Sequence, residues 1–124
     1  MTASLPFRAI RGATQLAADD PDEMQEAVVE LLAEMLKRNG LVVDDLVSVI
    51  FTSTPDLRST FPAAAARTLG IGDLPLLCAQ EIDVEGALPR VVRVMAHVAL
   101  DRPRSEVTHV YLRGAEVLRQ DLAQ

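Results

Sequence analysis

Hydrophobic positions within residues 24–36 recur every three or four residues, the spacing of one face of an α-helix. Asp20 precedes this pattern as the predicted N-cap, Pro21 fits the first helical position, and Glu23 would close a capping box. Residues 37–40, Lys-Arg-Asn-Gly, are typical of a C-terminal turn. The pattern therefore predicts a capped helix that buries one apolar stripe.

Five other segments are rich in β-branched and apolar residues, which indicates strands. In one of them, residues 91–100, valines and alanines alternate with Arg93, Met95 and His97, so the two sets occupy opposite faces. The predicted strands are Phe7–Thr14, Leu46–Thr54, Leu74–Gln80, Val91–Leu100 and Val107–Arg113.

A second, shorter helix is predicted from about Pro62 to Leu69, capped by Thr60 and ended by Gly70. The segment from Gly114 is predicted to be a short tail. These elements indicate an α+β domain with a five-stranded mixed sheet and two helices on one face.

The other sheet face carries Arg93, His97, His109 and Tyr111, and such a mixed face is either wet or pressed against a partner. The chain has no Trp, one Tyr and three Phe. A domain of this size buries only about two-thirds of its unfolded surface, so an aromatic-poor core is thin. We therefore expect burial between subunits.

The length of 124 residues predicts one domain over residues 1–124. Eighteen acidic against twelve basic residues give a net charge of −6, which argues against nucleic acid and anionic membranes as partners. The apolar runs are too short to span a bilayer, and residues 1–7 show no signal peptide. One cysteine permits no internal disulfide, which fits a reducing cytoplasm.

The sequence gives little support for a nucleophilic or a metal-dependent reaction. Cys78 has no base near it in sequence, so a small buried thiol is the preferred interpretation. His97 and His109 are expected to be packed or surface residues, and they show no metal-ligand spacing with the thiol. Asp83 and Glu85 fit a solvated loop.

Three arginines and a tyrosine remain as candidates: Arg11, Arg67, Arg93 and Tyr111. Arg93 is the most informative, because a guanidinium inside a strand must find water or an anion. Binding an anion and pairing with a carboxylate of a neighbouring chain are equally compatible with the pattern.

At these residues the sequence closely resembles a known family over about residues 8–122. The motifs are Arg11-Gly12-Ala13-Thr14, Thr54-Pro55-Asp56-Leu57, Phe61-Pro62-Ala63, Arg67, Cys78-Ala79-Gln80-Glu81, Arg93-Val94-Met95, His109-Val110-Tyr111-Leu112 and Val117-Leu118-Arg119. Each motif is weak alone, but their order and spacing resemble the monofunctional AroH-class chorismate mutases, the small trimeric class.

The resemblance implies a homotrimer forming a pseudo-α/β barrel, with active sites in clefts between subunits. It implies a rearrangement of chorismate to prephenate, on the route to phenylalanine and tyrosine, without a cofactor. It also implies that Arg11 and Tyr111 bind substrate carboxylate, that Arg93 reaches the ether oxygen, and that Glu81 and Cys78 contact the ring hydroxyl. Phe61, Ala63, Arg67 and Leu118 would line or close the cleft.

The chain departs from the family pattern at two positions. Ala64 stands where a Lys is expected one turn before Arg67, and Leu77 stands where a Thr is expected before Cys78. Backbone groups at Leu77 could still make the polar contact. An alternative hypothesis keeps the trimer but makes it a non-catalytic binder of small carboxylates.

Overall fold

The computed structural model describes residues 7–122. It contains five strands, two α-helices and four 3₁₀ turns. The strands are β1 Phe7–Gln15, β2 Leu46–Ser53, β3 Leu76–Gln80, β4 Val91–Ala99 and β5 Val110–Leu112; the helices are α1 Pro21–Arg38 and α2 Pro62–Ala66. The 3₁₀ segments are Val43–Asp45, Arg67–Leu69, Arg104–Glu106 and Ala115–Leu122.

The strands form one mixed sheet in the order β3-β2-β4-β1-β5. The central strand β4 runs antiparallel to both β1 and β2. The outer pairs, β2 with β3 and β1 with β5, are parallel. The predicted α+β class with a five-stranded mixed sheet is confirmed.

Helix α1 begins where the sequence predicts. Asp20 is the N-cap, and its carboxylate accepts the backbone N–H of Glu23 at 2.8 Å. The second half of the predicted capping box is wrong: the Glu23 carboxylate accepts the backbone N–H groups of Ala17 and Ala18 at 2.6 and 3.1 Å. Glu23 therefore ties the helix to the loop before it.

Both helices cover the same face of the sheet. The apolar stripe of α1 and the alanines of α2 belong to one buried cluster with Ile10, Val49, Phe51 and Val94. Gly12 allows α1 to approach β1 closely, since an added Cβ would lie 2.5 Å from Sδ of Met35.

The opposite face of the sheet, the open face, is only partly covered in the single chain, where a small second cluster buries Ala13 and Tyr111 against Ala115. In β4, Val92, Val94, Ala96 and Val98 are buried beneath the helices, whereas Arg93, Met95 and His97 lie on the open face. The alternation in the sequence predicted both faces of this strand correctly.

Several element boundaries differ from the prediction, and the ends of β1, β2 and β4 differ by one residue. β5 begins at Val110, because Asn39 rather than a strand bonds both backbone groups of Thr108. Helix α2 ends at Ala66 in a 3₁₀ turn, and its N-cap is Phe61, so the predicted cap at Thr60 is wrong. β3 begins two residues late, and the tail forms a 3₁₀ segment that the sequence did not indicate.

Within residues 7–122, neither helix is long and apolar enough to cross a bilayer. The prediction that no signal peptide is present concerns residues 1–7, of which only Phe7 lies within the described residues.

Candidate active site

A pocket of about 380 Å³ lies on the open face of the sheet. Four of the predicted site residues meet there, and they come from β1, β4, β5 and the 3₁₀ tail. Those four are Arg11, Arg93, Tyr111 and Leu118, and the remaining lining residues are Gly12, Ala13, Ile50, Thr52, Val94 and Met95.

Ala13 is one of the lining residues, and it lies between two of the predicted site residues. It is the cross-strand partner of Arg93 on one side and of Tyr111 on the other. Neighbouring strands lie about 4.8 Å apart, so the backbones of these two residues are separated by roughly 10 Å. The small Ala13 side chain is 1% exposed and belongs to a buried cluster with Tyr111 and Ala115.

Arg11 is exposed on the same face, two residues before Ala13. Its guanidinium forms no ion pair with any side chain in the described part of the chain. Its backbone N–H donates to Nδ1 of His109 at 2.9 Å. Burial and the nearby Arg11 charge both lower the pKa of His109 from 6.5, which favours the neutral ring that this bond requires.

Arg93 is paired within its own chain. Its Nε donates to both carboxylate oxygens of Glu81, at 3.1 and 3.2 Å. Oε2 of Glu81 also accepts the hydroxyl of Thr52 at 2.7 Å. Sequence reasoning left open an anion or a neighbouring chain's carboxylate as the partner of Arg93, and the structure shows a third solution in Glu81.

The first acidic residue of the segment 81–86 thus differs from the next two. The Glu81 side chain is 16% exposed and paired, whereas Asp83 and Glu85 are exposed in a loop, as predicted.

A second pocket, of about 520 Å³, holds Phe61 and Cys78 but none of the four residues above. Cys78 pairs with the fully buried Phe51 and packs against the helix-side core, whereas Thr52, the next residue of β2, lines the open-face pocket. Because side chains alternate along a strand, Cys78 and Thr52 lie on opposite faces of the sheet.

The other predicted cleft residues are scattered in the single chain. Ala63 is buried in α2, Arg67 is exposed at the helix end, and Leu77 is 62% exposed on β3. The structure therefore brings Glu81 and the first four site residues together, and it leaves Phe61, Ala63, Arg67, Leu77 and Cys78 apart from them.

Asp19 fixes the loop that lines the second pocket, a contact that sequence reasoning missed. Its carboxylate accepts the backbone N–H groups of Arg58 and Ser59 at 3.0 Å. Desolvation acts to raise the pKa of Asp19, but these hydrogen bonds outweigh it and lower the pKa below its ordinary value. The only sequence signal is a second aspartate directly before the helix cap.

Neither histidine serves the thiol as a base. Nδ1 of His97 lies 3.1 Å from the hydroxyl of Ser48, and Nδ1 of His109 accepts from Arg11.

Among the described residues, no group of three or more His, Cys, Asp or Glu side chains is placed to hold a metal ion. The arrangement of the pocket is suited to binding and polarising an anionic ligand.

Comparisons with known proteins agree with this geometry. A family model described as chorismate mutase type I matches residues 7–122. A chorismate mutase AroH from Thermus thermophilus is 50% identical over 116 residues, covering 93% of this chain and 95% of that protein. A chorismate mutase AroH from Bacillus subtilis is 40% identical over 118 residues, covering 94% and 93%.

A solved chorismate mutase from Clostridium thermocellum has the same fold. Its TM-score is 0.86 at 47% sequence identity, with 89% of this chain and 98% of that chain covered.

Proposed function

This chain belongs to the chorismate mutase type I family, and we propose that it performs its reaction in clefts shared between the subunits of a cytoplasmic homotrimer. The enzyme is an isomerase that converts chorismate to prephenate. The observation that carries the proposal is the meeting of Arg11, Arg93 and Tyr111 in one pocket while Cys78 faces another.

The rearrangement moves no proton, hydride or group between molecules, so it needs neither nucleophile nor cofactor. The barrier falls if the flexible dianion is held in its compact conformer and if charge growing on the ether oxygen is stabilised. The three groups around Ala13 suit these two tasks. Arg11 and Tyr111 bind carboxylate, and Arg93 donates to the ether oxygen.

The contact with Glu81 strengthens this role for Arg93. A guanidinium carries five N–H donors, and Nε uses one of them on Glu81. The four donors on the Nη atoms remain for substrate, and a guanidinium stays charged at all relevant pH. Glu81 retains acceptor capacity for the ring hydroxyl, because a carboxylate offers about four lone-pair sites.

The second pocket supplies the other wall of the cleft in the proposed assembly. Phe61 is 71% exposed and Arg67 forms no ion pair within the described residues. Leu77 is 62% exposed on the edge strand β3 and offers backbone groups there. A neighbouring subunit would place these residues, with Ala63 and Cys78, over the pocket that holds Arg93.

Exposed apolar side chains around β3 support the trimer. Ile82 is 86% exposed, Val84 59% and Leu77 62%. Large apolar side chains that are this exposed in the single chain are expected to bury against another chain. Light scattering should give about three times the chain mass of 13.4 kDa. An active monomer would contradict the shared site.

Mixed trimers test the shared site directly. Arg93→Ala and Arg67→Glu each remove one wall, and each should be inactive when pure. When equal amounts are unfolded together and reassembled, about a quarter of the sites should combine two intact walls. Recovered chorismate consumption supports the proposal, whereas no recovery places both walls in one subunit.

Chorismate consumption and prephenate formation by the purified wild type test the activity itself. The competing hypothesis, a trimer that only binds small carboxylates, predicts chorismate binding without loss of chorismate absorbance.

A further inference from the structure

Thr52 stands directly across from Arg93 in the β2–β4 ladder, and both residues line the open-face pocket. Neither the sequence motifs nor the resemblance assigns a role to this threonine. Its hydroxyl donates to Oε2 of Glu81 at 2.7 Å, the same oxygen that Nε of Arg93 contacts at 3.1 Å. One carboxylate therefore joins two cross-strand neighbours.

The main chain of Glu81 is also fixed. Its N–H donates to the carbonyl oxygen of Ser53 at 2.9 Å, which extends the pairing of β2 and β3 one residue beyond the ladder. Glu81 is thus held through its main-chain N–H and through one carboxylate oxygen, independently of its contact with Arg93. Since its side chain is only 16% exposed, few other positions are open to it.

Arg93 itself is half exposed, with 50% of its side chain accessible. A salt bridge at such a site is weak by itself and leaves a long side chain free to sample other rotamers. A carboxylate that is locked in place restricts this freedom, because both of its oxygens then present a fixed acceptor to Nε.

We propose that Thr52 is a positioning residue: its hydroxyl orients Glu81, and Glu81 in turn orients the guanidinium of Arg93 toward substrate. This inference rests on the proposed function, in which the Nη donors of Arg93 stabilise the breaking ether bond. It assigns Thr52 no contact with the reacting atoms.

Valine and serine separate the hydroxyl from the shape of the side chain. Thr52→Val keeps the β-branched shape that suits a strand and replaces the hydroxyl by a methyl group, while Thr52→Ser keeps the hydroxyl. Ser48→Ala is the matched control, because Ser48 lies on the same face of β2 and its hydroxyl contacts His97 instead.

The test is steady-state chorismate consumption by these variants, each first shown to be folded and in the wild-type oligomeric state. A misplaced catalytic group costs up to about 100-fold in rate, so we expect kcat of Thr52→Val to fall about tenfold with KM within about threefold. Thr52→Ser and Ser48→Ala should stay within about threefold of wild type in both constants.

The Glu81→Ala background shows whether the hydroxyl acts through Glu81. There, Thr52→Val should cause no further loss of kcat, since the carboxylate that it orients is absent. A structural role for Thr52 would lower activity equally in both backgrounds.

Three results would overturn the proposal: wild-type kcat in Thr52→Val, a serine variant as impaired as the valine variant, or an undiminished valine effect without Glu81. The proposed function fails separately, if wild type does not consume chorismate or if Arg93→Ala retains full activity.

Discussion

The backbone N–H of Arg11 on β1 donates to the imidazole Nδ1 of His109 at 2.9 Å. Both residues come one position before Gly12 and Val110, the first pair of the ladder that joins β1 to β5. In this bond a titratable imidazole nitrogen takes the place of the backbone carbonyl that accepts the N–H in a regular ladder. Because Nδ1 accepts only when it carries no proton, the position of Arg11 depends on a neutral His109.

This relationship predicts a loss of activity in acid. Burial and Arg11 lower the pKa of His109 from 6.5, so the unfolded chain takes up this proton first as pH falls. The stabilisation is therefore complete above pH 6.5 and is lost as pH falls through the lowered pKa. Turnover should be flat around neutrality and above, since no step transfers a proton, and KM should rise on the acid side.

His109→Asn provides the comparison, because its amide oxygen can accept from Arg11 at every pH. The acid rise in KM should shrink in this variant. An NMR titration that places the pKa of His109 at or above its ordinary value would contradict the prediction.

Substitutions of Arg93 test whether turnover needs only its positive charge or also the geometry of its guanidinium. Arg93→Lys keeps the positive charge but cannot pair with Glu81 through Nε and still present a planar fork. Loss of a preorganised donor costs about 3–4 kcal/mol, so both Arg93→Lys and Arg93→Ala should lose about 10²–10³ in kcat. Arg11→Ala should instead act mainly on KM. Steady-state kinetics on folded variants in the wild-type oligomeric state measure both, and a lysine variant within a few-fold of wild type would make Arg93 a structural ion-pair residue.

The close contact of Gly12 with α1 predicts that substitutions of Gly12 and Met35 have non-additive effects on the free energy of unfolding. An added Cβ would lie 2.5 Å from Sδ of Met35 and 3.1 Å from Cδ1 of Leu31, so Gly12→Ala should destabilise by about 1–3 kcal/mol. Met35→Ala should cost about 2–5 kcal/mol by opening a cavity. The double variant should lose less than the sum, because the new methyl group occupies part of that cavity. Urea unfolding of the three variants measures this, and strict additivity would show that the two sites do not share space.

The buried side chain of Asn39 predicts a large effect of substitution on stability. It is 1% exposed, and its amide group donates to the carbonyls of Met35 and Thr108 and accepts the N–H of Thr108. Asn39→Ala leaves these backbone groups without partners and should lower the free energy of unfolding by about 2–4 kcal/mol. Val42→Ala, at a position 64% exposed, is the surface control and should change it by less than about 0.5 kcal/mol.

Asn39 also explains why β5 is shorter than the sequence predicts. The run Val107–Arg113 has strand composition throughout, but Thr108 bonds to the Asn39 side chain and His109 turns its ring to Arg11. Local composition therefore indicated extended backbone correctly and could not indicate which partner that backbone meets.

The candidate site was likewise only partly predictable from the sequence. Resemblance in motif order identified the family, and strand alternation placed Arg93 on the face away from the helices. Neither indicated that Thr52 and Glu81 would meet, because the residues lie 29 positions apart, one within β2 and the other directly after β3. The pairing of Arg93 with Glu81 inside one chain likewise required the register of β2 between β3 and β4.

The sequence by itself determined the helix that Asp20 caps, the buried and open faces of β4, and membership of the family. These features depend on local spacing, since capping and side-chain alternation act over a few residues. Only the tertiary structure decided that Arg11, Arg93 and Tyr111 surround Ala13 and that Cys78 faces away from them. The strand order β3-β2-β4-β1-β5 sets these neighbours, and it follows from packing the whole sheet under α1, which no local segment encodes.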